Sequence, residues 1–173
     1  MPDATGLELI AQEVRDKLGD DSVVGTSYYR EQATLEVKPE RVRDAVGFLM
    51  READEPFELL MSVHGCDYLP DEPRLGVHYQ LLSMQRTDRL NVKVRLGVDN
   101  PALPTVTDVF PGADFDEREV YDMFGVVFTG HPDLRRILMP EDYEGFPQRR
   151  DFPMGGEAVL FTHNEPRLPG WWQ

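Results

Sequence analysis

Cysteine is almost missing from this chain, with Cys66 standing alone. One thiol excludes an internal disulfide, a four-cysteine zinc site and an iron–sulfur cluster held by this chain alone. It also favours a reducing compartment. No apolar run approaches the roughly 18 residues that a membrane-spanning helix needs, so direct membrane insertion is not expected. Positive charge is scarce as well. Lys and Arg number 18 against 32 Asp and Glu, a net charge of −14. Phosphate contacts need clustered cations, so this balance argues against nucleic-acid binding and against attachment to anionic lipid. The opening residues, MPDATGLELI, lack a basic segment followed by an apolar one, and no secretory signal is expected. The acid excess leaves two readings open: plain solubility, or complementarity to a basic partner.

What is present is an alternation of helical and strand-like periods. Leu7, Ile10, Val14 and Leu18 fall on one helical stripe, which Gly19 stops. Residues 22–30 and 33–38 are rich in β-branched and aromatic residues and predict a hairpin. Pro39 opens a second helix, with Val42, Ala45, Val46, Leu49, Met50 and Ala53 on its apolar face. Residues 57–67 are apolar on both faces and predict a central strand. Residues 74–84 and 89–98 predict two more. Leu90, Val92, Val94, Leu96 and Val98 alternate with Asn91, Lys93 and Arg95, giving one buried and one wet face. The short connections favour antiparallel pairing. The fold class expected is α+β, a mostly antiparallel sheet with helices on one face, followed by a loop-rich C-terminal extension. Nine of the 14 prolines stand at Pro101 or later. Residues 1–99 are therefore expected to be an α+β domain. Residues 100–173 are expected to carry a motif helix and an extended docking segment with little core of its own.

The densest stretch runs from Asp114 to Pro153, DFDEREVYDMFGVVFTGHPDLRRILMPEDYEGFPQRRDFP. Asp114 and Glu117 are spaced like a capping box, and Asp116 adds an acid to the first turn. A helix over about Phe115–Phe124 is predicted, with Gly125 ending it. Glu119 and Asp122 lack such an explanation, since a negative charge in the last turn opposes the helix dipole. Arg118 stands four residues before Asp122. Either the two form an exposed surface pair, or Arg118, Glu119 and Asp122 face polar groups of a partner chain. The run Val126–Phe128 is too short to predict a core strand of its own. His131 lies in a turn without a Cys or second His at ligand spacing, and without a nucleophile beside it. A stand-alone acid/base enzyme would have to pair it with Glu119 or Asp122. Arg135 and Arg136 suit bidentate carboxylate recognition or are simply solvated. Arg149, Arg150, Phe146 and Phe152 continue a mixture of arginines, aromatics and prolines that has the composition of an interface. Trp171 and Trp172 at the end are a costly exposure unless a protein partner covers them.

These residues carry a resemblance. Glu117-Arg118-Glu119, then Asp122-Met123-Phe124, His131, Arg135 and Ile137-Leu138 resemble the signature of the respiratory complex I 30 kDa subunit family, the C-type subunit of NADH-quinone oxidoreductase. The continuation GHPDLRRILMPEDYEGFPQRRDFP is similar to the same family without a gap. The resemblance implies a non-catalytic peripheral-arm subunit of a proton-pumping NADH:quinone oxidoreductase. It would hold no cofactor or metal, with FMN and iron–sulfur clusters in partner subunits. It implies packing against the 49 kDa-type (D-type) subunit near the iron–sulfur subunits, through Arg118, Glu119, Asp122, His131, Arg135, Arg136, Arg149, Arg150, Phe152, Trp171 and Trp172. It places the chain peripherally at the cytoplasmic side of a bacterial membrane, and without a long extension beyond the motif. Related membrane-bound hydrogenase and F420H2 dehydrogenase complexes share the module and remain an alternative.

Overall fold

The structure, a computed structural model, describes residues 4–153. Helix α1 (Ala4–Leu18) is followed by the hairpin β1 (Val23–Tyr29) and β2 (Gln32–Val37). A 3-10 turn at Pro39–Arg41 leads into α2 (Val42–Arg51). Strands β3 (Leu59–Asp67), β4 (Leu75–Ser83) and β5 (Asp88–Leu96) come next, then β6 (Ala102–Pro104), α3 (Ala113–Phe124) and β7 (Val127–Thr129). The five long strands form one sheet in the order β1-β2-β5-β4-β3. Every pairing is antiparallel except β2 with β5. That parallel step is the long return that α2, β3 and β4 make possible.

The alternation in β5 sets the two faces. Leu90, Val92, Val94 and Leu96 lie in the core with Val77, Tyr79 and Leu81 of β4 and Leu35 of β2. The apolar stripes of α1 (Leu7, Ile10, Val14) and α2 (Val42, Ala45, Val46, Leu49) close the same core. The opposite face, with His64, His78, Asn91 and Lys93, is polar. Its His64 and His78 rings stack at 5.1 Å. Burial, and then the neighbouring His64, push the His78 pKa down to about 4, so this imidazole is neutral at pH 7.

Two expectations need correction. Residues 57–67 are not a central strand: β3 is an edge, and Leu59 and Met61 are exposed. The apolar side of this edge strand is covered by α3. The side chain of Asp116 accepts the N–H of Val63 at 2.9 Å. Phe124 occupies the space that a side chain at Gly65 would need. A covered edge reads in sequence like an interior strand. The run at Val126–Phe128 does contribute to the core. β7 pairs in parallel with β6, and Val126 and Phe128 are buried. A strand this short is stable because Leu103, Val106, Val109, Phe110 and Val120 join the same core as the sheet. Residues on both sides of position 99 thus share one hydrophobic cluster.

Candidate partner-docking segment

The first acids of α3 are not caps. The helix starts at Ala113, its N-cap is Gly112, and no side chain caps it. Glu117 has no exposed side-chain surface. It accepts the Val106 N–H at 2.8 Å and the Thr105 hydroxyl at 2.5 Å, tying the β6–α3 connection to the helix. Burial pushes its pKa up to about 7, against the pull of those two bonds. The His131 side chain is equally buried. Its Nδ1 accepts the Asp133 N–H at 3.1 Å, which places the ring proton on Nε2. That proton points at the Asp114 carbonyl, 3.2 Å away, with an Asp114 carboxylate oxygen at 3.3 Å and Glu117 at 4.0 Å. The neighbours of His131 are therefore Asp114 and Glu117, not Glu119 or Asp122. It anchors the turn after β7 onto the start of α3.

Asp122 is the centre of the segment. Its carboxylate is wholly buried and accepts three successive backbone N–H groups, from Ile137 at 3.0 Å, Leu138 at 2.7 Å and Met139 at 2.8 Å. The Arg136 guanidinium donates to its other oxygen at 2.6 Å. Burial alone would raise the Asp122 pKa. The Met139 N–H, Arg136 and the other two amides outweigh it and hold the carboxyl below its ordinary value. Arg118 makes no pair with Asp122. Its guanidinium donates to the carbonyls of Arg135 and Arg136 at 3.3 and 3.4 Å. Acid and base, four residues apart on one helix, hold one loop from its two polarities.

The C-terminus of α3 is closed by the same segment. The last four carbonyls of a helix have no partner within it. Here Tyr121 O receives the Gly125 N–H, Asp122 O receives Arg136, Met123 O receives the Gln148 N–H and Phe124 O receives Arg149 Nε. Two of the four donors are guanidinium groups, which also complement the negative end of the dipole. Gly125 adopts φ 75°, and its missing side chain leaves room for Phe146 and Arg149 to reach this point. Arg136 and Arg149 lie 5.6 and 4.6 Å from the Phe146 ring.

Further on, the chain is clamped to the β3–β4 connection. Arg74, only 7% exposed, lies between Asp67 and Asp151, with Nη2 2.6 Å from a carboxylate oxygen of each. Asp67 also accepts the Arg150 N–H at 2.7 Å, and the Arg150 guanidinium donates to Leu69 O. Bonding to Arg74 first, and then the amides of Arg150 and Leu69, hold the Asp67 carboxyl far below its ordinary range despite burial. Phe152 is half-buried against Gly145, with its ring 6.2 Å from Tyr143.

The residues expected at an interface therefore separate. Asp122, His131 and Arg118 have their polar atoms engaged within the chain, and Arg136 and Arg149 are largely engaged too. Their local oddity in sequence reflects long-range intrachain partners. Glu119, Arg135 and Arg150 remain exposed. So do apolar side chains that the charge pattern hid: Phe115 at 62% and Leu138 at 60%, with Ile137 beside it. Arg118 lies 5.9 Å from the Phe115 ring while its guanidinium also holds the backbone before Ile137. Trp171 and Trp172 lie outside the described residues. Sequence reasoning missed Asp67, Arg74 and Asp151. The only local signal was an acid and an arginine flanking the turn-like PDEP at 70–73. Among the described residues no group of three or more His, Cys, Asp or Glu is arranged to hold a metal ion. No helix among them is long and apolar enough to cross a membrane.

This geometry has relatives. The chain is 46% identical over 148 residues to the C-type subunit of NADH-quinone oxidoreductase from Roseiflexus castenholzii, covering 86% of this chain and 85% of that one. It is 49% identical over 137 residues to the protein of the same name from Salinispora tropica, covering 79% of this chain and 56% of that one. Among solved structures, a trypsin-resistant fragment of Nqo5 superposes with a TM-score of 0.59 at 32% identity, covering 74% of this chain and 98% of that one. A chain of an archaeal membrane-bound sulfane sulfur reductase, a respiratory membrane complex, gives 0.68 at 27% identity and 85% of both. The family described as "Respiratory-chain NADH dehydrogenase, 30 Kd subunit" matches over residues 35–158, and the chain belongs to that family.

Proposed function

We propose that this chain is a non-catalytic peripheral-arm subunit of a proton-pumping NADH:quinone oxidoreductase. It packs against the 49 kDa-type subunit beside the iron–sulfur subunits. FMN and the clusters reside in those partners, and the assembly holds this chain at the cytoplasmic side of the bacterial membrane. One observation carries the docking reading. Three amide bonds to a buried carboxylate fix the backbone at Ile137–Met139, and that fixed backbone presents Ile137 and Leu138 to solvent. Rigid, exposed apolar side chains bind at low entropic cost, and they need a partner to cover them. Residues 100–173 then act as the docking half, and Glu119, Arg135, Arg150, Trp171 and Trp172 belong to its contact surface.

A second reading is the equivalent subunit of a related membrane-bound hydrogenase or F420H2 dehydrogenase complex. The likeness to the sulfane sulfur reductase chain favours it. Relatives at 44–49% identity that bear the NADH-quinone oxidoreductase name support the first reading more strongly.

The test is a Leu138→Asp chain in its native complex. It should fold with unchanged thermal stability yet fail to co-purify with the 49 kDa-type subunit. Arg135→Glu should weaken co-purification without unfolding. Arg136→Glu is unsuitable because it breaks the Asp122 pair. Normal assembly of both Leu138→Asp and Arg135→Glu would overturn the docking reading.

A further inference from the structure

The two edges of the sheet are treated differently. β3 is guarded by α3: Asp116 takes its Val63 N–H, and Phe124 packs over Gly65. β1, at the other edge, pairs among the described residues only with β2. Its seven residues, VVGTSYY, contain no charge and no proline. Those are the residues that soluble proteins place on an edge to stop it pairing. Val24, Tyr28 and Tyr29 are exposed at 61%, 41% and 66%. A groove of about 410 Å³ lies over the polar sheet face inward of this edge, from β1 across β2 to β5 and β4. Gly25, Ser27, Thr34, Tyr29 and Tyr68 are among its lining residues.

We propose that the outer edge of β1 receives an extended strand of a neighbouring subunit, which continues the sheet by backbone pairing and carries basic residues at its ends. The proposal rests on the reading of this chain as a subunit of a larger complex. An open edge supplies a row of N–H and C=O groups for main-chain affinity. Tyr28 and Tyr29 supply flat aromatic area on opposite faces for the side chains of the added strand. Charge selects the occupant. Asp20 and Glu31 flank the strand in the chain and Glu8 accepts its Thr26 hydroxyl, against Arg30; Asp21 and Lys38 offset each other as a pair. A second copy of this chain would bring another −14 charge against the same acidic rim. A basic-flanked strand from a different subunit meets it favourably.

Hydrogen exchange on the full-length chain, free and within the purified complex, tests this. The outward-facing amides of 23–29, those not bonded to β2, should exchange about tenfold or more slowly in the complex than in the free chain. Ser27→Lys and Tyr29→Lys place the missing guard on the edge. They should leave thermal unfolding unchanged while lowering the amount of chain recovered in the complex by about tenfold. Met84→Lys, on an exposed loop elsewhere, should not. Three results overturn the proposal. Identical exchange across 23–29 in both states is the first. Slow exchange of those outward-facing amides already present in the free chain at every concentration is the second, because the chain's own terminus is then the occupant. Slowing that sets in only as the free chain is concentrated is the third, because a second copy is then the occupant. A chain that fails to enter the complex in wild-type form overturns the functional reading instead, before the edge is tested.

Discussion

Replacing Asp122 with alanine should cost this fold about as much as losing a large core side chain, although the residue lies in a stretch whose composition reads as surface. The wild-type carboxylate is fully buried and takes four bonds: three amides at 2.7–3.0 Å and the Arg136 guanidinium at 2.6 Å. Bonds to a charged group contribute roughly 1.5–3 kcal/mol each, and breaking a buried pair from one side costs roughly 3–5 kcal/mol. Two effects reduce this. The Arg136 side chain keeps 14% exposure and a bond to Gly145 O, so water and that carbonyl take part of its charge. Ile137 and Leu138 are exposed, so their amides can rehydrate if the loop lifts. Lifting also releases Arg118 from the Arg135 and Arg136 carbonyls and uncovers the end of α3. The net loss should be about 2–4 kcal/mol. With a urea slope of about 2 kcal/mol per molar, the midpoint should fall by about 1–2 M. Asp122→Asn keeps the shape but replaces one acceptor oxygen with a donor, and should lose roughly half as much. Trypsin should cut Asp122→Ala at Arg135 and Arg136 well before wild type. A midpoint within about 0.3 M of wild type, with no earlier cleavage there, would refute the assignment of Asp122 as the organiser of this loop.

Other outcomes follow from the same geometry. Glu117 has a folded pKa of about 7 against 4.5 for an unperturbed carboxyl, raised by burial. Its ionisation therefore opposes folding. The penalty is absent below about pH 4.5, grows as pH rises to about 7, and then levels off at a few kcal/mol. Glu117→Gln should gain stability relative to wild type across that window in urea melts at fixed ionic strength. A pH-independent difference would show that the carboxyl is not perturbed. Asp67 and Arg74 are nearly buried while Asp151 is 55% exposed. Asp67→Ala should thus cost roughly 3 kcal/mol and Asp151→Ala at most about 1 kcal/mol, measured by chemical denaturation. Equal losses would contradict the clamp. Gly65→Val should overpack against Phe124 and cost roughly 1–3 kcal/mol, and truncating Phe124 in the same chain should recover part of it.

Much of this fold was legible because its signals are local. Helical stripes at Leu7–Leu18 and Val42–Leu49 and strict alternation in β5 report which side of each element meets the core, and short connections imply antiparallel neighbours. The hairpin and the end of α3 at Gly125 were legible for the same reason. The central position assigned to β3 failed because periodicity reports burial and does not distinguish a neighbouring strand from a covering helix. The capping-box spacing of Asp114 and Glu117 misled because that spacing is satisfied equally by an acid that turns inward to Thr105 and Val106.

Periodicity, a single cysteine and one dense motif suffice for the α+β class, for excluding a cluster held by this chain's cysteines alone, and for the family. What the motif's charges do is a matter of the folded chain. Asp122 meets residues 136–139, Arg74 meets Asp151 across 77 positions, and His131 meets Asp114 because the whole chain folds the Asp114–Pro153 stretch back onto α3 and the β3–β4 turn. A charge's partner is fixed by distance in space, and sequence spacing encodes that distance only within a single helix or strand.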